Sequence, residues 1–157
     1  TFKRMSRPLI MIDVLVSGVR ARAIIDTGGA HTLGNRALLG ALRQQMGGNL
    51  AGSITGQVAD ATDSMQPVVL APVPILAFGP VALANLPVSF GSFAVFDIWG
   101  VNDRPTLLLG MDALGMLSEL VIDYPRRQLH IAKLAPGETR TSMAGVPLGG
   151  QGLSASP

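Results

Sequence analysis

The sequence predicts a mainly β domain with one full helix and a second short one, and three observations lead there. Residues Val19-Arg20-Ala21-Arg22-Ala23 alternate apolar and polar before Ile24-Ile25 turns wholly apolar, the signature of a strand entering a core. From Ser64 to Phe96 no side chain is charged, yet Pro67, Pro72, Pro74, Pro80 and Pro87 punctuate the run. Each proline removes a backbone donor and obstructs a helix, so this is no membrane helix but a set of short buried strands. Only Asn35 to Met46 carries apolar residues at helical spacing between a capping residue and a glycine stop. A chain of 157 residues is one domain by size. With 48% hydrophobic but 4% aromatic residues, aliphatic side chains must build its core.

Taken in order, Leu9 to Val16 is an apolar run interrupted by Asp13, and Ser17-Gly18 is a turn. With Val19–Ile25 it makes a hairpin, Arg20 and Arg22 sharing a solvated face. Asn35 caps the helix, Leu38, Leu42 and Met46 form its core stripe, and Gly47-Gly48 ends it. Residues 49–63 are polar and read as a loop or hairpin, and the uncharged run follows as three or so short strands. Thr106-Leu107-Leu108-Leu109-Gly110 is a short, fully apolar strand, after which Asp112 caps a short helix over 113–118. Leu120–Tyr124 and Gln128–Ile131 pair through a basic turn at Arg126-Arg127. Beyond residue 134 little can be buried, so the domain is 1–134 and 135–157 a flexible tail rich in Gly, Pro and Ser. The tail is long enough to reach a cleft.

The chemistry centres on Asp26-Thr27-Gly28, directly after the apolar strand. A carboxylate at the end of a buried strand is costly unless it is used. The glycine two residues on allows a tight turn, and the bland alternative is an Asx-type turn between strand and helix.

With Ile24-Ile25-Asp26-Thr27-Gly28-Gly29, Thr32-Leu33, and the later Leu107-Leu108-Leu109-Gly110-Met111-Asp112, the chain resembles the retropepsin-like aspartic proteases over residues 8–134. The hairpin Val121–Tyr124 and Leu129–Ile131 is similar to the closing strands of bacterial members. The resemblance implies a closed β-barrel of the acid-protease fold and an aspartic endopeptidase without cofactor. Asp26 would be the catalytic carboxylate, Thr27 would brace the pair across a two-fold axis, and Gly28 would offer its carbonyl to substrate. Substrate polypeptide would also meet Gly29, Ala30, Leu109, Gly110 and a covering flap somewhere in 52–65, at Ile54, Thr55 and Gly56. It also favours a periplasmic or membrane-tethered location, and Thr1 in place of Met reads as a fragment or processed product.

One carboxylate is half of what such chemistry needs. Hydrolysis without metal or covalent nucleophile takes one group to activate water and another to protonate the carbonyl. This chain has one Asp-Thr-Gly, so activity implies a homodimer supplying Asp26 twice, or a missing second half. Gly29 stands where the family usually has Ala or Ser. Ala30 and Met111 stand where many viral members place an Asp and an Arg that pair and brace the dimer.

Other chemistries are poorly served. There is no cysteine, only two histidines, and no second ligand at metal spacing beside His31. His130 belongs to the polar face of a strand, and Asp112 and Asp123 are read as structural. Net charge is +2, ten of the twelve basic residues are Arg, and no like-charge run suits nucleic acid. The second reading is the same fold as a non-catalytic dimerisation or peptide-binding module, against which stands the carboxylate at Asp26.

Overall fold

In the computed structural model the described residues are 9–59, 63–123, 125–126, 128–132 and 144–147. The chain begins with a hairpin of β1 (Met11–Val16) and β2 (Val19–Ile25). Ser17 and Gly18 take φ values of 46° and 87°, the positive pair that a two-residue turn matching strand twist demands. Asp13 lies opposite Arg22 across this hairpin, with Nε and Oδ1 at 3.8 Å on a solvated face.

A short β3 (Leu33–Gly34) leads into α1 (Arg36–Met46). The Asn35 side chain accepts from the Leu38 N–H at 2.9 Å, and Gly47 ends the helix at φ 74°. Leu38 and Leu42 are buried as their spacing predicts. Met46 is 39% exposed, because the last turn runs past the barrel, and so lies outside the core stripe expected of it.

The uncharged run forms longer strands than its prolines suggest. After β4 (Ile54–Ala59), β5 (Met65–Phe78) and β6 (Val81–Phe90) make a long hairpin in place of several short strands. Pro72 lies directly opposite Pro87, so two missing donors fall at a single rung. The register passes over Pro74, opposite Asn85, whose φ is 53°. The rest of the run folds into α2 (Ala94–Ile98), a helix the sequence pattern does not predict.

Then come β7 (Thr106–Leu109), α3 (Met111–Leu114), β8 (Glu119–Asp123), β9 (Gln128–Ala132) and β10 (Ala144–Pro147). The short helix therefore occupies 111–114, not 113–118, and Gly110 is its cap residue where Asp112 was expected. Within the stretch read as a tail, Ala144–Pro147 pairs with β9 as the outer strand of a three-stranded sheet. The rest of that stretch lies outside the described residues.

The main sheet runs β1-β2-β7-β3-β6-β5-β4, and β1 also pairs with β5 through Leu15–Ala77 and Val16–Leu76. Six strands thus close a barrel, with β4 attached outside the ring through β5. The barrel holds the main core, including Ile12, Val14, Ala23, Leu76, Leu86, Phe90, Leu107 and Leu109. On the other face of β2 and β7, Ile24 and Leu108 pack with Met11, Val101 and Phe96 of α2. Strand β7 is buried on both faces, which is why it reads as an unbroken apolar run. No helix is long and apolar enough to cross a membrane among the described residues.

Candidate active site

The site forms where β2 and β7 end side by side. They run parallel, with Ile25 opposite Leu109, so the chain leaves both strands at the same level. The Asp26 N–H donates to the Leu109 carbonyl at 3.0 Å, carrying the pairing one residue past the strand. The chain then turns sharply: the Gly28 N–H donates to Asp26 Oδ1 at 3.0 Å, and the Gly29 N–H donates to the Asp26 carbonyl at 3.3 Å. The Asx-type turn is therefore present, and it fixes the carboxylate at the end of the strand. Asp26 is half-buried, while Thr27, Gly28, Ala30 and His31 are exposed.

A Cβ on Gly29 would lie 2.7 Å from Asp26 Oδ2 and 3.3 Å from its Cγ, so a side chain there would require the carboxylate to shift. Gly110 is needed more strictly, because its Cβ would meet backbone atoms of His31: the oxygen at 2.5 Å, the carbon at 2.6 Å and the nitrogen at 2.9 Å.

Two backbone bonds strap this loop to the start of α3, Met111 N–H to the Gly29 carbonyl at 2.7 Å and Asp112 N–H to the Ala30 carbonyl at 3.1 Å. Asp112 accepts from the Thr32 N–H at 3.0 Å, from the Thr32 hydroxyl at 2.6 Å and from the Ala113 N–H at 2.8 Å. The two contacts with Thr32 link residues eighty positions apart, and no local pattern announces them.

Asn35 joins the same region from below. It is 0% exposed, and its Nδ2 donates to the carbonyls of Val101 at 2.9 Å and Arg104 at 2.6 Å. Its Oδ1 accepts from Leu38 and, at 3.1 Å, from Thr106. The capping role is legible in sequence; the tie to the loop entering β7 is not.

Of the residues expected at the site, Asp26, Thr27, Gly28, Gly29 and Ala30 form the loop itself. Leu109 is 0% exposed and Gly110 is buried, so both support the loop from behind. Ile54, Thr55 and Gly56 lie on β4, paired with Leu70, Val69 and Val68, and reach the barrel through β5. Ile54 and its partner Leu70 are exposed apolar residues, at 65% and 41%. Elsewhere, His130 sits between buried Leu129 and Ile131, and Asp123 accepts from the Arg126 N–H at 3.1 Å across the β8–β9 turn. Among the described residues no three His, Asp or Glu are grouped to hold a metal ion.

The family model described as "Aspartyl protease" matches residues 12–113, from β1 to α3. The chain belongs to this family. Its fold is that of solved retropepsin-like structures. The retropepsin-like aspartic protease from Rickettsia conorii matches with a TM-score of 0.50 at 18% identity, covering 73% of this chain and 84% of that one. The retroviral protease-like domain of Ddi1 from Leishmania major matches with a TM-score of 0.55 at 12% identity, covering 91% and 95%. No curated protein gives a significant match. The matched span opens in the β1–β2 hairpin that leads into Asp26 and ends within α3.

Proposed function

We propose that this chain is an aspartic endopeptidase acting as a homodimer, each subunit supplying one Asp26. The observation that carries the reading is the Asp26 carboxylate at the barrel rim, held by the Gly28 N–H within a span matching the aspartyl protease family. Two such carboxylates about 3 Å apart cannot both ionise, so they share a proton and titrate as a pair. The ionised member draws a proton from water, whose oxygen attacks the scissile carbonyl carbon. The protonated member gives its proton to the carbonyl oxygen, and a tetrahedral diol forms. Collapse of that diol breaks the C–N bond, with a proton passing to the leaving nitrogen.

Exposed Thr27 lies beside Asp26, at the place where the two-fold contact would brace the pair. Substrate polypeptide would lie extended across Gly28, Gly29 and Ala30, held through its main chain. The β4–β5 hairpin would be the flap, its exposed Ile54, Val58 and Leu70 meeting apolar substrate side chains.

The decisive test is Asp26→Asn assayed on a peptide library at acidic pH. Turnover should fall by about 10²-fold or more with an unchanged melting midpoint. Equal turnover in the variant refutes the assignment. Sedimentation at assay concentration tests the dimer separately, because an active monomer would exclude a two-chain site. A folded chain that binds peptides but never cleaves them would make it a binding module.

A further inference from the structure

We propose that α2 sets which substrate side chain is accepted beside the scissile bond, selecting small apolar ones over bulky ones, an inference that rests on the peptidase reading. Successive strand residues point to opposite faces. Ala21, Ala23 and Ile25 turn into the barrel, so Asp26 stands on the outer face with Ile24. Leu108 of β7 lies alongside on that face, while Leu107 and Leu109 point inward. The wall leading down from the catalytic carboxylate is therefore made of Ile24 and Leu108.

That wall is already covered. Ile24 is 1% and Leu108 5% exposed, because Phe96 of α2, itself 0% exposed, packs on them with Met11 and Val101. The chain has only 5 Phe, 1 Trp and 1 Tyr, yet Phe93, Phe96 and Trp99 all fall in this one short stretch. Phe93 and Phe96 meet as tilted rings with centroids 6.3 Å apart. Around buried Phe96, Phe93 and Trp99 are only partly covered, and Ile98 is 69% exposed.

Hydrogen bonds fix this segment at both ends, so Phe96 is a filler and not a lid. The Gly91 N–H donates to the Gly34 carbonyl at 3.1 Å, and the Val101 N–H donates to the Phe96 carbonyl at 3.0 Å. The Val101 carbonyl accepts from buried Asn35 at 2.9 Å. A substrate side chain reaching from the carboxylate toward Ile24 meets space that Phe96 already occupies. What is left to it is a shallow rim of Phe93, Trp99 and Ile98, in a stretch whose one charged residue is exposed Asp97. Such a rim takes an alanine or valine side chain and has no depth for phenylalanine. An apolar pocket discriminates about 10-fold or more for each methylene it cannot take.

The test profiles peptide-library cleavage by wild type, Phe96→Ala, Phe96→Leu and Phe90→Leu. Wild type should favour Ala or Val beside the scissile bond. Both Phe96 variants should raise kcat/KM for Leu or Phe there, relative to Ala, by about tenfold or more. Phe96→Leu leaves the smaller cavity and keeps the test readable where Phe96→Ala fails to fold. Phe90 is 1% exposed but lies inside the barrel, so Phe90→Leu should lower the melting temperature and leave the profile unchanged. A folded Phe96→Leu protein with the wild-type profile would overturn the proposal, as would a wild-type preference for Phe or an equal shift in Phe90→Leu. A wild-type chain that cleaves no peptide fails the peptidase reading instead, and binding to Asp26→Asn then decides. Trp99 is the single tryptophan, so labelled Ala and Val peptides should change its emission and bind more tightly than Phe peptides. Peptide anisotropy that rises with that emission unaltered, or no binding at all, overturns the proposal.

Discussion

Replacing Gly110 with alanine should damage the molecule more than any other single methyl group added to the site. The backbone is not the obstacle, since Gly110 has φ −89°, which any residue adopts. Space is the obstacle. The new Cβ would sit 2.5 Å from the His31 carbonyl oxygen and 2.6 Å from its carbon, both backbone atoms that cannot rotate away. Ordinary contact requires the two loops to part by about 0.9 Å. That movement stretches the Met111–Gly29 and Asp112–Ala30 bonds, now 2.7 and 3.1 Å, beyond useful length. Overpacking costs about 1–3 kcal/mol and each lost backbone bond about 1 kcal/mol, so the total is about 3–5 kcal/mol. For a domain of this size the melting midpoint should drop by roughly 6–20 °C. Thermal and urea unfolding should be followed at one fixed protein concentration, since a dimer's midpoint depends on it. A Gly110→Ala protein within about 1 kcal/mol of wild type would refute the argument that the two loops are in hard contact.

Two further substitutions probe the scaffold. Asn35→Ala removes the α1 cap, leaves the Thr106 N–H without its partner and takes one of two donors from each of two carbonyls, so it should destabilise by about 2–3 kcal/mol in urea titrations. Asn35→Asp keeps both acceptor contacts but sets a buried carboxylate oxygen against the Val101 and Arg104 carbonyls, so it should be no milder. In contrast, Gly40→Ala adds a Cβ with nothing within 4 Å in the middle of α1, and should raise stability by about 0.5–1 kcal/mol with no change in turnover.

What the sequence disclosed follows from range. The β1–β2 hairpin and α1 are written in local periods of two and about four residues, closed by Ser17-Gly18 and by Asn35 and Gly47. The Asp26 turn and the apolar β7 were also legible, because each is a few consecutive residues. Long β5 and β6 were not, since prolines argue locally for breaks, and only the partner strand shows that Pro72 and Pro87 share a rung. Met46 followed the helix period correctly but lay beyond the surface that would have covered it. Asp112 looked like a cap because an acidic residue at a helix start commonly is one. Its use by Thr32 depends on a parallel pairing of β2 with β7 that no short window contains.

That parallel pairing also governs when the site can exist. During synthesis, Asp26 emerges on a hairpin that can form within its own few residues. The strand that receives its N–H, and the carboxylate that holds Thr32, appear some eighty residues later. Loop closure over that distance is entropically slow, and β7 must slip between β2 and β3 to complete the ring. A nascent or half-folded chain therefore carries the acid but no ordered site, so any activity is withheld until the barrel closes.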